Sequence, residues 1–183
     1  MLTVDLSQFP VINTQRLLLK EIKLQDAADL LVFRSNIDAM RYIDRPLART
    51  IEDAETLIHT MDGFLKNNVG ISWGICLKED ARLIGTIGFW NIDTTNYRAE
   101  FGYMLEPVHH RKGIMTEAFA PVIDYAFNEV KLHSLEARVN PENTASRMLL
   151  EKNSFVQEAY FKENYFYNNK FSDTVVYTLL NKG

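Results

Sequence analysis

The stretch His110-Arg111-Lys112-Gly113-Ile114-Met115-Thr116 decides how this chain is interpreted. A strand-like run from Arg98 to Leu105 precedes it, and apolar residues at helical spacing follow it as far as Val130. The pattern predicts a basic, glycine-containing loop that opens onto the N-terminus of a helix. Helix N-termini carry unpaired backbone amides and the positive end of the helix dipole, so this loop is a candidate site for a phosphate or pyrophosphate group.

Two common phosphate-binding motifs do not describe this loop. A P-loop requires serine or threonine after the lysine that follows its last glycine, whereas Ile114 follows Gly113 here. A dinucleotide-binding fingerprint requires three spaced glycines, and this segment contains one. From the residues alone, the loop is either an anion site or a basic turn that caps a surface helix.

The loop resembles the acetyl-CoA loop of the GNAT acetyltransferases, whose pattern is Gln/Arg-x-x-Gly-x-Gly/Ala. His110 stands at the first position of that pattern, Gly113 at its glycine and Met115 at its last small position. The resemblance implies that the backbone amides of His110–Met115 bind the pyrophosphate of acetyl-CoA, with added positive charge from Arg111 and Lys112. His110 and Met115 depart from the family's residue types, which leaves open a GNAT-like domain that senses acyl-CoA without catalysis.

The resemblance extends along most of the chain and is strongest to the RimJ/RimL-type branch, the ribosomal-protein N-terminal acetyltransferases. The opening Thr14-Gln15-Arg16-Leu17 is similar to that branch's first strand, and Glu100-Phe101-Gly102-Tyr103 to its Glu-Ile-Gly-Tyr strand. The other matching segments are Asp26-Ala27, Arg41-Tyr42, Pro107, Asn140 to Ser146, and Glu151 to Phe155, where Ser154 replaces the usual glycine.

The resemblance implies the GNAT fold: an α/β (α+β) domain with a mixed, mostly antiparallel sheet of about seven strands, splayed centrally and flanked by about four helices. Residue patterns agree, and no repeat or linker composition divides the chain, so we expect a single domain over residues 1–183. The predicted strands are Arg16–Ile22, Ser72–Leu77, Leu83–Asn91, Arg98–Leu105, Ser134–Val139 and a hairpin of Phe155–Tyr167 with Thr174–Leu180 across Asn168-Asn169. The predicted helices are Asp26–Arg34, one beginning at Thr50, the loop helix and Thr144–Lys152; in the loop helix, Pro121 predicts a kink or a late start.

Charge, apolar runs and cysteine content limit the classes of partner and cellular location that we expect for this chain. The net charge of −4 argues against direct binding of nucleic acid through a basic surface, and it suits a partner with a cationic group. No apolar run is long enough to span a bilayer and the N-terminus lacks a signal-peptide pattern, so we expect a cytoplasmic protein without membrane contact. Cys76 is the only cysteine; it lies in an apolar run and is expected to be a buried thiol.

Acetyl transfer to an amine requires a base for the ammonium and an acid for the departing thiolate. Glu100 is the candidate general base, acting directly or through a water molecule; the alternative is a glutamate that is solvated or paired with Arg98. Ser146 is the candidate acid, and Asn143 is expected to bind the cofactor arm. Capping of a helix by Asn143, with Ser146 in the first turn, explains both residues equally well. Tyr103, Tyr160 and Tyr165 are alternative acids.

The resemblance also implies that the pantetheine arm lies along an opened strand, pairing with backbone groups of Met104 and Leu105, and that Gly102 allows a local bulge. The complete predicted cofactor set is Met104, Leu105, His110, Arg111, Lys112, Gly113, Ile114, Met115, Thr116, Asn143 and Ser146. The histidine spacing does not suggest a metal site.

The leading hypothesis is an N-acetyltransferase that transfers acetyl from acetyl-CoA to a primary amine. The preferred acceptor in this hypothesis is a protein N-terminal α-amine of the ribosomal-protein type. The alternatives are a small-molecule acceptor (polyamine, antibiotic or amino acid) or the non-catalytic sensor. In this family the acceptor pocket is built from the first helices and the final hairpin, here Leu24–Arg49 and Tyr160–Ser172. The aromatic residues of that hairpin are a substrate wall, a dimer surface or core, of which core is the commonest outcome, and the chain is a monomer or a homodimer.

Overall fold

The computed structural model describes residues 1–182 and contains one sheet of eight strands. The strands are β1 (Ile12–Asn13), β2 (Leu17–Glu21), β3 (Gly70–Leu77), β4 (Asp80–Asp93), β5 (Arg98–Leu105), β6 (Ser134–Val139), β7 (Val156–Tyr167) and β8 (Lys170–Leu180). The α-helices are α1 (Ala27–Arg34), α2 (Ile37–Met40), α3 (Ile51–Lys66), α4 (Ile114–Asp124) and α5 (Thr144–Lys152). Short 3₁₀ turns cover Leu24–Asp26 and Pro107–His109.

The sheet opens between its two central strands. The strand order is β1-β2-β3-β4-β5-β6-β8-β7, and every neighbouring pair is antiparallel except β5 with β6, which is parallel. The register of β5 and β6 runs from Arg98 opposite Ser134 to Glu100 opposite Glu136, and no pair beyond Glu100 is formed within residues 1–182. The predicted central splay is therefore confirmed, and it begins immediately after Glu100.

Two apolar cores lie on opposite faces of the sheet. The larger one packs α4 against the sheet through buried residues such as Ile114, Phe119 and Phe101, and the smaller one lies under α1 and α3, around Phe33 and Ile58. Helix α3 begins as the sequence predicts, because the Thr50 side chain accepts the amide of Asp53 while the Asp53 carboxylate accepts the amide of Thr50. Because both faces of the sheet are buried, alternate side chains of β5 enter different cores: Phe101 enters the larger core and Met104 the smaller one.

The loop helix differs from its prediction at Pro121. Helix α4 begins at Ile114, passes through Pro121 and continues into a π-helical turn over Tyr125–Glu129. The predicted late start is therefore wrong. Proline lacks the amide that would reach back to Glu117, and the helix absorbs this loss without ending.

The edge strand β7 is exposed and interrupted. Its register with β8 shifts between Phe161 and Tyr165, where Glu163 has a left-handed φ of 48°. The hairpin turn is formed by Asn168 and Asn169, both with positive φ, as expected for a tight turn that matches the twist of the strands. The aromatic side chains of the hairpin are largely at the surface: Tyr160, Phe161, Tyr165, Phe166 and Phe171 are each at least 44% exposed. Of the three alternatives for these side chains, the core is therefore excluded for these five residues.

Candidate active site

Two carboxylates, one buried and one partly buried, fix the ends of the loop that carries Gly113. At its upstream end the Glu106 carboxylate accepts from the Arg82 guanidinium at 2.6 Å. At its downstream end Glu117, in the first turn of α4, accepts from the Thr14 hydroxyl (2.6 Å) and from the backbone amide and Nε of Arg16 (both 2.7 Å). The Arg16 guanidinium also donates to the Lys112 carbonyl at 3.0 Å. The loop is thus held by the segment between β1 and β2 and by β4.

This anchoring shows what the opening Thr-x-Arg segment does. Thr14 and Arg16 were predicted as part of a strand, and their structural role is to hold the carboxylate of Glu117. Sequence reasoning missed Glu117 altogether. Its only signal was an acidic residue in the first turn of a helix, a position that commonly interacts with the helix dipole and therefore did not indicate a partner about a hundred residues away.

The loop presents a run of backbone amides without protein acceptors. Within residues 1–182, the amides from Arg111 to Thr116 donate to no carbonyl or side chain, and the next amide, that of Glu117, closes the helix onto Gly113. Arg111 and Gly113 have left-handed φ values of 61° and 75°, which turn successive amides in the same direction. The amide of His110 is excluded from this set, since it donates to the Pro107 carbonyl at 3.0 Å. The predicted amide set is corrected to begin at Arg111.

The departures from the family pattern in the loop have structural explanations. A ring nitrogen of His110 lies 3.0 Å from the Leu105 carbonyl, so this side chain closes the loop onto the end of β5. Met115 is only 7% exposed and belongs to the larger core, so its side chain does not project into the space outside the loop. Neither side chain obstructs the amides of Arg111 to Thr116.

The end of β5 is open on the side that faces away from β4. The strand pairs regularly with β4 from Glu100 to Leu105, and among the described residues 1–182 it has no strand partner on its other side beyond Glu100. The predicted bulge at Gly102 is absent, because Gly102 stays in register opposite Gly88. A Cβ at Gly102 would lie 2.3 Å from the Trp90 ring, so the glycine makes room for the indole. The Leu105 carbonyl is already engaged by His110, which leaves its predicted pairing with a cofactor arm to the amide.

Glu100 is held by two neutral donors. The indole Nε1 of Trp90 donates to one carboxylate oxygen at 3.2 Å, and the Asn91 side-chain amide donates to the other at 2.9 Å. Glu100 is half-buried and lies at the point where β5 and β6 separate. Arg98 pairs with Glu136 instead, so the alternative of an Arg98–Glu100 pair is wrong. The carboxylate is therefore fixed in position without a neutralising cation, as a base requires.

Ser146 lies beside a buried phenol. Its Oγ is 2.7 Å from the Tyr103 hydroxyl, and burial holds the pKa of Tyr103 well above its usual value, so this hydroxyl keeps its proton. The Asn143 side chain accepts the amide of Ser146 at 3.1 Å, so Asn143 caps α5 as the alternative interpretation proposed. The other candidate acids are engaged elsewhere: the Tyr160 hydroxyl donates to Asp173, and that of Tyr165 to the Asp44 carbonyl at 3.3 Å.

A cavity of about 420 Å³ lies between three segments that are distant in sequence. Its walls come from residues 37–47, from the turn between β6 and α5, and from the tip of the β7–β8 hairpin. The hairpin is tied to the first wall where the Ser172 hydroxyl donates to the Asp44 carboxylate at 3.1 Å. Both segments expected from the resemblance to form an acceptor pocket, Leu24–Arg49 and Tyr160–Ser172, contribute to this cavity.

The family model for the GNAT acetyltransferase domain matches residues 16–156. The chain belongs to the GNAT acetyltransferase family. An uncharacterised N-acetyltransferase of Bacillus subtilis, YoaA, is 35% identical over 94% of this chain and 97% of its own length. A GNAT acetyltransferase structure from Bacillus anthracis superimposes with a TM-score of 0.82 at 28% identity, covering 93% of this chain and 98% of the other. The protein is therefore an N-acetyltransferase with a mixed α/β GNAT fold.

Relatives with named acceptors differ in substrate. The ribosomal-protein-serine acetyltransferase of Escherichia coli is 31% identical over 55% of each chain. The spermidine N(1)-acetyltransferase of Vibrio cholerae is 32% identical over 52% of this chain and 56% of its own. A structure of RimL in complex with coenzyme A has a TM-score of 0.85 at 17% identity, covering 93% of this chain and 98% of the other. The similarity to the ribosomal-protein-serine acetyltransferase supports the predicted RimJ/RimL-like character, the RimL structure shows the shared fold, and the named acceptors of these relatives differ.

Three further observations concern residues 1–182. Cys76 is buried as predicted, and burial raises the pKa of its thiol to about 11, which makes it unreactive at neutral pH. No helix is long and apolar enough to cross a membrane. No group of three or more His, Cys, Asp or Glu side chains is arranged to hold a metal ion; a metal-independent reaction stays a prediction.

Proposed function

We propose that the protein transfers acetyl from acetyl-CoA to a primary amine, the N-terminal α-amine of a polypeptide, by direct attack. The observation that carries this proposal is the run of unpaired amides from Arg111 to Thr116 beside the open edge of β5. Unpaired amides at a helix N-terminus fit a pyrophosphate, and an open strand edge fits a peptide-like pantetheine arm. The proposed cofactor-binding residues are Leu105 and residues 111–116, whereas the backbone groups of Met104 face Thr86 of β4, because Glu106 donates to the Ile84 carbonyl and hydrogen-bonded pairs alternate along the two strands. Asn143 caps α5, and His110 holds the loop.

Each residue at the splay has a proposed role. When bound, acetyl-CoA supplies a thioester that an amine attacks, so that a C–N bond forms and the C–S bond breaks. Glu100 takes the proton from the ammonium, directly or through a water molecule, while Trp90 and Asn91 hold the carboxylate. Ser146 gives its hydroxyl proton to the departing thiolate and takes up the second proton that the attacking nitrogen loses as the amide forms, while the Tyr103 hydroxyl, 2.7 Å from Ser146 Oγ, holds it in place. The nitrogen therefore loses two protons, of which one reaches the thiolate through Ser146 and one is released by way of Glu100.

Thiol release with acetyl-CoA and a panel of acceptors tests the proposal. The panel contains peptides with free N-termini, their N-terminally blocked controls, and spermidine. Substituting Glu100→Gln should lower kcat by about 10²- to 10⁴-fold, the typical contribution of a positioned base, with coenzyme A affinity unchanged. Glu129→Gln, which removes an exposed carboxylate far from the splay, serves as the matched control.

Three results would contradict parts of this scheme. Undetectable coenzyme A binding by calorimetry would remove the assignment of the loop. Normal turnover of the Glu100→Gln variant would remove Glu100 from the mechanism. Turnover of spermidine but not of peptides would move the acceptor to the polyamine class. The cytoplasmic location and the single domain over residues 1–183 accompany the proposal as predictions from composition.

A further inference from the structure

The cavity of about 420 Å³ described above has a cationic wall. Arg41, Arg45 and Lys170 line it, and within residues 1–182 none of the three forms an ion pair. Its only acidic lining residues are Asp44 and Glu142. Asp44 accepts a hydrogen bond from the Ser172 hydroxyl, so its carboxylate is already used to join the two walls. The lining therefore has a net positive charge.

A fourth cation stands behind this wall. The side chain of Arg34, the last residue of α1, is largely buried, and its Nε lies out of contact with solvent without a hydrogen-bond partner in the described chain. Burial, and then repulsion from Arg45, lower the pKa of the Arg34 guanidinium. Leaving a buried donor unpaired costs on the order of 1–3 kcal/mol. Two neighbouring guanidinium groups without a carboxylate are therefore an arrangement that an added anion would stabilise.

The turn between β6 and α5 links a wall of the cavity to the helix that carries Ser146. Asn140 and Glu142 line the cavity, and the same turn leads directly into the first turn of α5, which carries Ser146 beside Tyr103. An acceptor whose amine reaches the splay after Glu100 would place its remaining atoms against these walls. The cavity volume is in the range of about 300–1,000 Å³ that is usual for ligand pockets.

We infer that the cationic wall of Arg41, Arg45 and Lys170 selects an acceptor that carries a carboxylate close to its reacting amine, and that it rejects polyamines. This inference rests on the proposed function and names its substrate class. The carboxylate is supplied either by an acidic side chain that follows a polypeptide N-terminus or by the α-carboxylate of a free amino acid. The local charge opposes the expectation of a basic partner that the net charge of −4 suggested.

Matched acceptors test the inference. The peptide Ser-Asp-Asp-Phe-amide is compared with Ser-Asn-Asn-Phe-amide, free serine with serinamide, and spermidine is included. Affinity for the protein saturated with coenzyme A is measured by calorimetry, and kcat/KM by thiol release. We expect the acidic peptide to exceed its amide twin about tenfold in both measurements at low salt, and this ratio to fall in about 0.5 M NaCl because the charges are screened. A preference of serine over serinamide of the same size would identify the α-carboxylate as the source.

Variants localise the effect. Arg45→Gln and Lys170→Gln should each reduce the preference for the acidic peptide about three- to tenfold, with little change for the amide twin. Lys131→Gln removes an exposed lysine near the start of β6, at the opposite end of that strand from Asn140, and should leave the preference unchanged. The amide twin serves as an internal control for folding, since a misfolded variant would lose both acceptors.

The outcomes separate this inference from the proposed function. Acetylation of both peptides at equal rates, or a preference for spermidine, overturns the inference and leaves acetyl transfer intact. Tighter binding of the acidic peptide without thiol release from any acceptor supports the inference and overturns the proposed function. Loss of preference in Lys131→Gln as large as in Arg45→Gln would also overturn the inference, because the selectivity would then come from the overall charge.

Discussion

Substituting Glu117→Gln tests whether the phosphate loop depends on an anchor outside itself. The Glu117 carboxylate is 17% exposed and accepts three hydrogen bonds of 2.6–2.7 Å from Thr14 and Arg16. Glutamine preserves the shape and one carbonyl oxygen, so the contacts of Thr14 and of the Arg16 amide are retained in a neutral form. The amide nitrogen that replaces the other oxygen faces the Arg16 guanidinium, and because both groups are donors this hydrogen bond is lost.

The expected loss of stability is about 3 kcal/mol. Hydrogen bonds to a charged acceptor contribute about 1.5–3 kcal/mol and neutral ones about 0.5–1.5, so two bonds weakened in this way lose about 2–3 kcal/mol together. Arg16 is 47% exposed, and solvent screening therefore limits its ion pair to about 0.2–1 kcal/mol. The Arg16 contact with the Lys112 carbonyl weakens as well, so we expect coenzyme A affinity to fall about three- to tenfold as the loop becomes less well ordered.

The free energy of unfolding is measured in urea for the wild type and the variant as a function of pH. Burial raises the pKa of Glu117, but the hydrogen bonds from Thr14 and Arg16 outweigh it and hold the pKa below its usual value of 4.5. A carboxyl whose folded pKa is lowered stabilises the fold above its unfolded pKa and loses that contribution as pH falls through the folded value. The difference between wild type and variant should therefore be full at pH 7 and shrink below about pH 4.5.

A double-mutant cycle provides the control. Arg16→Gln should reduce stability by a similar route, and the double variant should be less unstable than the sum of the two single variants by about 0.5–1 kcal/mol. Equal stability of wild type and Glu117→Gln at pH 7 would refute the anchoring argument. A stability difference that stays constant down to pH 3 would show that the carboxylate charge is not its source.

Two further predictions concern single positions. Ser154, just after the C-terminus of α5, has a left-handed φ of 66°. Ser154→Gly should therefore raise the free energy of unfolding by about 0.5–1 kcal/mol, whereas Ser154→Ala, which keeps the Cβ, should not. Equal effects of the two substitutions in thermal unfolding would contradict this backbone explanation. Gly102→Ala places a Cβ 2.3 Å from the Trp90 ring, so the indole that donates to Glu100 should be displaced. This displacement should lower the free energy of unfolding by about 1–3 kcal/mol and reduce kcat more than it reduces coenzyme A affinity. An unchanged kcat would argue against a positioning role for Trp90.

Local sequence patterns predicted the elements well because their causes are local. The capping residues Thr50 and Asp53 and the paired asparagines at 168 and 169 act through their own backbone neighbourhood, and the predicted bounds of β5, β6 and α5 match the structure. The central splay of the sheet was predicted from the resemblance to the GNAT family and not from local patterns. The eighth strand, β1, escaped prediction because two residues are too few for a periodic signal.

The site itself was only partly predictable. Glu100 and Ser146 were identified, but what holds each of them, Trp90 and Tyr103, depends on neighbours across strands or helices. The cationic wall combines Arg41 and Arg45, which follow α2, with Lys170 at the start of β8, and it becomes visible only when the fold brings Arg45 and Lys170 to one cavity. The predicted bulge at Gly102 was wrong because the sequence shows the glycine but not the Trp90 ring that occupies the space beside it in the fold.

The interruption of β7 at Glu163 has a consequence for how copies of this chain meet. A regular, apolar border strand would offer its free main-chain groups to a neighbouring molecule and invite growth of the sheet from one molecule to the next. Here the irregular turn of backbone, together with the charged residues Lys162 and Glu163, breaks that template halfway along. Lateral, fibre-like addition is thereby discouraged, even though five large rings remain in contact with water nearby.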